Sequence, residues 1–250
     1  MKENSNTHSV KSKVLSYSIE FLIIFISLFL TFELENYGED QNNRQKEELY
    51  LASLEKDLEK DINQLNRRIQ DYDNKIEAGY SLLDQLVGPN LNVDSIAYFY
   101  GQALQYNFQY NPVNNTFESL KSSGDLKLLI NPTLKILLSE LDKSYKSTLT
   151  TGVSYSDFVN GILWIGFLSE HSDSRYGSVA FQLQGNAEAR EFYNLTSHAI
   201  KLLEEYQYSI QGTLKKALEV QGAIKEEMQR RAIPSLAVET QDEDLSLEDL

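Results

Sequence analysis

The sequence predicts an all-α protein: one N-terminal helix of membrane-spanning length, then an elongated helical bundle. Three observations carry this. Residues 14–32 form an apolar run whose one charge is Glu20. Two later stretches repeat apolar side chains at helical spacing over about ten turns each. No alternating strand pattern and no Asn-Gly hairpin interrupts them.

The apolar run in a helix covers roughly 28 Å, close to the ~30 Å core of a bilayer. A cleaved leader needs small residues just after the run, whereas Thr31-Phe32-Glu33-Leu34-Glu35 is bulky and acidic. A buried core helix over Phe21–Phe32 fits less well behind a short basic leader. The expectation is therefore an uncleaved transmembrane helix over 14–32. Lys2, Lys11 and Lys13 precede it, and Glu33, Glu35, Glu39 and Asp40 follow it. Basic flanks stay cytoplasmic, which predicts residues 1–13 inside as a leader. It also predicts 33–43 as an acidic exit linker and 44–232 as a helical domain outside. In a bacterium with two membranes this is a single-pass inner-membrane protein with a periplasmic domain. The chain has no cysteine, which fits an oxidising or a reducing compartment equally.

Glu20 stands out. A carboxylate at the bilayer midplane costs about 2.5–3.5 kcal/mol, and less nearer the surface. One reading is a snorkelling or protonated side chain. The other is a polar contact to another transmembrane helix, its own copy or a partner, joined by Ser16, Ser18 and Ser27, since small polar residues let helices approach.

From Leu51, apolar positions run through Leu54, Leu58, Ile62, Leu65, Ile69, Tyr72, Ile76, Tyr80 and Leu83 to Val87. The period of about 3.6 predicts a straight amphipathic helix on a bundle rather than a coiled coil. Gly88-Pro89-Asn90 ends it. A second face runs Phe192, Leu195, Ala199, Leu202, Tyr206, Ile210, Leu214, Ala217, Gln221, Ile224, Met228, with Asn186 as cap and Pro234 as block. Matched lengths predict that these two helices pack side by side, with an antiparallel arrangement the natural guess.

Shorter helices lie between them. Asp94 is the expected cap of one over Ile96–Tyr106. Asn115-Thr116-Phe117-Glu118 resembles a capping box for another ending at Gly124. Asn131-Pro132 opens a third, with Gly152 expected to bend or break it. Phe158–Leu168 is too short to span a bilayer and predicts core packing, Gly161 and Gly166 allowing close helix contact. A patch around Trp164 is the alternative. Residues 170–186 read as a loop, and 233–250 as an acidic disordered tail.

No residue pattern points to catalysis. His8, His171 and His198 lack metal-ligand spacing, and there is no phosphate loop or nucleophile elbow. No cofactor or metal is expected, nor catalysis. A net charge of −14 argues against nucleic acid as a partner. Tyr98, Tyr100, Tyr106 and Tyr110 among Gln102, Gln105 and Gln109 are expected first to pack in the bundle, the alternative being a polar-aromatic interaction surface with Tyr98, Tyr106, Tyr110 and Trp164 its candidates.

Several short pieces of the chain resemble a family of single-span, helix-rich bacterial proteins, common in Bacteroidota-type organisms, whose function is unknown. The pieces are Ile19-Glu20, the apolar run, Asn36-Tyr37, then Tyr50-Leu51, Leu54, Asp57-Leu58 and Asp61. Thr116-Phe-Glu-Ser-Leu-Lys-Ser-Ser-Gly-Asp-Leu126 is the most specific. Two departures stand out: Ser18 replaces the usual glycine before the glutamate, and Tyr37 replaces a commoner tryptophan. The resemblance implies a tethered helical domain and brings no activity. The expected role is a membrane-anchored, non-enzymatic protein contacting the bilayer through 14–32 and a protein partner or its own copy. The alternative is a ligand-sensing bundle that signals through a partner.

Overall fold

The computed structural model describes the backbone of residues 6–87, 91–105, 109–175, 178–181, 183 and 186–233. Side chains are described for 17–18, 20–87, 91–105, 109–173, 183 and 187–233. The expected ends at 88–90 and Pro234, the side-chain cap of Asn186, Tyr106 and the acidic tail beyond 233 lie outside these residues.

The protein is all-α apart from one short hairpin. α1 runs Asn6–Val87, α2 Val93–Tyr100 with a π-helical turn Gly101–Gln105, and α3 Asn115–Ser123 with a 3₁₀ turn Asp125–Leu128. α4 (Pro132–Asp157) passes into a π-helical stretch, Phe158–Leu168, and a short α5, Ser169–His171. β1 (Ser172–Arg175) pairs antiparallel with β2 (Ser178–Phe181), and α6 spans Asn186–Arg231. The loop expected over 170–186 thus contains a hairpin. Its first strand, Ser-Asp-Ser-Arg, has little strand propensity, which hid it from the sequence.

Two units are distinguished, Met1–Leu49 and Tyr50–Leu250. In the first, residues 33–43 are helical and part of α1, so the expected linker is no break in secondary structure. Glu and Gln favour the helix, and with no proline there nothing stops it.

In the second unit α1 and α6 run antiparallel. Tyr72 meets Tyr206 with ring centroids 5.2 Å apart, Gln207 donates to the Ile69 carbonyl (3.3 Å), and Tyr80 donates to Glu204 (2.7 Å). α4 also lies antiparallel to α6: Ser144 and Thr148 share hydroxyl hydrogen bonds with Thr213, at 2.7 and 2.8 Å, and Lys216 reaches Glu140 at 2.9 Å. The three helices close over Leu51, Leu65, Tyr72, Leu138, Tyr155, Phe192, Tyr206 and Ile210.

The buried line of α1 departs from the expected one. Tyr80 and Val87 are exposed, while Lys75, Leu82 and Leu86 are buried. From Tyr72 to Leu86 the buried positions advance about 3.5 residues per turn, the seam of helices that wind slightly around each other. Lys75 and Gly79 hold seam places that an apolar count skips.

Local signals were partly displaced. Asn131 caps α4, accepting from Thr133 and Leu134 amides, with Pro132 in the first turn. Asn92, not Asp94, caps α2, accepting from the Ser95 amide at 3.1 Å. α4 runs unbroken through Gly152, where a Cβ would lie 2.6 Å from the Tyr206 ring. The missing side chain makes room for that ring. Gly161 has nothing within 4 Å of an added Cβ, so the close contact expected there does not occur. In Phe158–Leu168 one face is core (Val159, Leu163, Phe167, Leu168), and the other leaves Ile162 and Ile165 exposed beside Trp164.

Candidate functional site

The densest polar arrangement centres on Asp57 and Asp61, one helical turn apart on α1. Asp61 is wholly buried. Its Oδ1 accepts from the Tyr110 hydroxyl at 2.7 Å and from the Val113 amide at 2.9 Å, and its Oδ2 accepts from the Tyr145 hydroxyl at 2.7 Å. The Tyr110 amide donates in turn to the Tyr206 hydroxyl at 2.9 Å. The segment Tyr110–Val113 is therefore tied to α1, α4 and α6 together.

Asp57 does a second job. Asn114, at the start of α3, makes no side-chain cap, and the Thr116 amide donates instead to Asp57 Oδ2 at 2.8 Å. The capping box expected at Asn115–Glu118 is replaced by a cap from another helix, which meets the same need of an orphan N–H group. Gly124 closes α3 in the left-handed region, φ 75°. Just beyond it, Tyr50 donates to Asp125 at 2.7 Å.

The electrostatics follow from burial. Desolvation raises the Asp61 carboxyl above its ordinary value, while the Val113, Tyr145 and Tyr110 donors hold it back. The Tyr110 and Tyr145 phenols are pushed up, by burial first and by the Asp61 charge next. All three donors serve to satisfy a carboxylate in a dry place. Beside it an apolar cavity of about 20 Å³, lined by Leu54, Leu58, Phe117, Leu138, Leu141 and Tyr145 among others, has room for about one water. The arrangement locks a segment in place and offers no space to a substrate.

Lys75 is a further buried ion. It donates to the Ala103 carbonyl of the π-helical turn at 3.3 Å. Burial lowers its ammonium to about 8, with Asp71 pulling the other way. At the far end of α6, Glu227 is buried and receives Arg230 (2.6 Å), Asn131 (3.2 Å) and Arg231.

The residues singled out from the sequence fall elsewhere. Tyr98 is exposed, but Tyr110 is buried 49 positions from its carboxylate partner in the chain, so the two do not share a surface. Tyr98 and Tyr100, two residues apart on α2, lie about 200° apart around the helix, so one is exposed and the other buried. Trp164 is half-exposed in the π-helical stretch. Glu20 lies exposed on α1, and Ser27 donates to the Ile23 carbonyl of its own helix at 2.8 Å. The side chain of Ser16 is outside the described residues. His171 stacks on Phe167 with centroids 4.3 Å apart, and His198 sets an edge on Phe158 at 4.6 Å. Among the described residues no three His, Asp or Glu side chains converge as a metal site would require.

A family model covers residues 20–175, described as a family of unknown function, DUF6090. The chain belongs to this family. The matched stretch contains the run after Glu20, both acids of the lock, the segment they hold and all of α4. It ends before α6. No curated protein and no solved structure matches the chain. DUF6090 membership brings no assigned activity.

Proposed function

We propose that this protein is a membrane-anchored, non-enzymatic component of a bacterial envelope, single-pass through residues 14–32, with its N-terminus cytoplasmic and its helical domain periplasmic. One observation carries the reading: Phe21 is 69 % exposed and Leu28 66 %, within an apolar helical run that lies open to its surroundings among the described residues. Hydrocarbon is the solvent in which such a surface is at rest. Acidic residues after the run and lysines before it support the orientation.

The helical domain acts by contact, with other envelope proteins or with its own copy. Its most elaborate polar cluster is spent on holding its own backbone, and the cavity beside it takes no more than about one water.

The test is a pair of measurements. Membranes from expressing cells are extracted with alkaline carbonate, and alkaline phosphatase is fused after residue 233. The protein should stay in the pellet and the fusion should be active. Extraction into the supernatant, or an inactive but stable fusion, would sink the proposal.

A further inference from the structure

We infer that the span carries a self-complementary polar stripe through which two copies of this chain associate side by side, with Glu20 at its centre. This rests on the membrane reading above.

At about 100° per residue, Ser27 and Thr31 fall within about 20° of Glu20 around the helix axis. Ser16 falls within about 40° by register, whereas Ser18 lies on the far side. The phenylalanines take the opposite half: Phe25, Phe29 and Phe32 lie about 120–180° away, and Phe21 stacks on Phe25 with centroids 6.5 Å apart. A span with no preferred neighbour would scatter its polar residues. Here Ser16, Glu20, Ser27 and Thr31 share one side, Ser18 excepted, and the phenylalanines lie on the other, while the Tyr17 ring sits about 60° from Glu20.

The groups on the stripe differ in what they still need. Ser27 gives its hydroxyl proton to the Ile23 carbonyl at 2.8 Å, and Thr31 gives its own to the Ser27 carbonyl at 2.9 Å. Both are content within the helix and present a slim, weakly polar surface. Glu20 makes no hydrogen bond or ion pair among the described residues. In hydrocarbon an unmet carboxyl is the costly item, and a neighbouring helix is the place to meet it.

A second copy fits that need best. Copies insert the same way, so their stripes lie at one depth with no change of register, and each position faces its own kind across a two-fold axis. A carboxyl group with its proton both donates and accepts, so two of them satisfy each other. No lysine, arginine or histidine occurs within 14–32. Ser16 one turn before Glu20, and Ser27 and Thr31 beyond the isoleucines after it, are slim enough to let a second backbone approach.

The absence of native cysteine makes the test clean. Single-cysteine variants of the full chain, Ser27→Cys and Thr31→Cys on the stripe, Phe25→Cys and Phe29→Cys opposite, are oxidised with copper phenanthroline in native membranes. Disulfide-linked homodimer should form at the stripe positions and fall about tenfold at the opposite ones. Glu20→Leu in the Thr31→Cys background should lower the yield about tenfold, and Glu20→Gln, which still donates and accepts, should keep it. Equal yields on both faces, an adduct with a different protein, or indifference to Glu20→Leu overturns the inference while the anchor stands. Release of the variants and the parent chain by alkaline carbonate overturns the anchor as well.

Discussion

Asp61 is the residue on which most of the bundle's polar order converges. Asp61→Ala leaves two buried hydroxyls and one amide without an acceptor and should cost about 3 kcal/mol or more, read from urea unfolding. Asp61→Asn keeps an acceptor and gains a donor that can face Tyr145, so its loss should be about 1 kcal/mol. The pH signs differ between the buried ions. Asp61 is raised, so the folded state holds its proton more tightly and stability falls as pH climbs from about 3.8 through the raised value. Lys75 is lowered to about 8 from 10.5, so stability should rise with pH across that window, and Lys75→Met should flatten the rise. Carbon NMR of the lysine ε-position checks the midpoint directly. None of this was legible beforehand. An acid at a seam position looks like any surface acid until the chain brings Tyr110, Val113 and Tyr145 to it from 49, 52 and 84 positions away.

At the scale of elements the reading from sequence went further, because periodicity and start signals are local. The long helices, the Asn131-Pro132 start and the Gly124 stop all follow from residues within a turn of where they act. What failed was anything decided by a neighbour: the α3 cap supplied by Asp57, the role of Gly152, and the seam through Lys75 and Gly79. α6 ends with Ala232 at φ 56°, its amide reaching the Gln229 carbonyl and the Ile233 amide the Met228 carbonyl. A left-handed residue with a Cβ is strained, so Ala232→Gly should stabilise by about 0.5–1 kcal/mol, visible as a raised Tm. Gly152→Val puts side-chain atoms into the Tyr206 ring and should destabilise by about 1–3 kcal/mol. Ala at 124 should lose about 1 kcal/mol for the converse of the Ala232 reason.

For the molecule as a whole, charge sets the acid limit. Despite the upward push of burial, hydrogen bonds from Arg230, Asn131 and Arg231 hold Glu227 below its usual range, and those from Lys146 and Lys121 do the same for Asp142. Groups of this kind stabilise above the ordinary carboxylate range, and the benefit is lost as pH falls through their lower values. An acid titration followed by circular dichroism should show unfolding in that range, and Glu227→Gln should remove part of the dependence while lowering stability at pH 7. The class, and a helix long and apolar enough to cross a membrane, were legible from composition and from one apolar run. The lock was not, although two pieces of the family resemblance, Asp57–Asp61 and Thr116–Leu126, are the segments it joins.

The ties of Tyr110 also fix an order of events. Its hydroxyl finds Asp61 early in the chain, but its amide waits for Tyr206, 96 positions later. A polypeptide emerging N-terminus first has Asp57, Asp61 and their Tyr110, Val113 and Thr116 donors long before Tyr206 arrives, so the fastening is completed only when α6 has been made. Nascent chains stalled before Tyr206 should remain open to protease, and those released past Met228 should resist it.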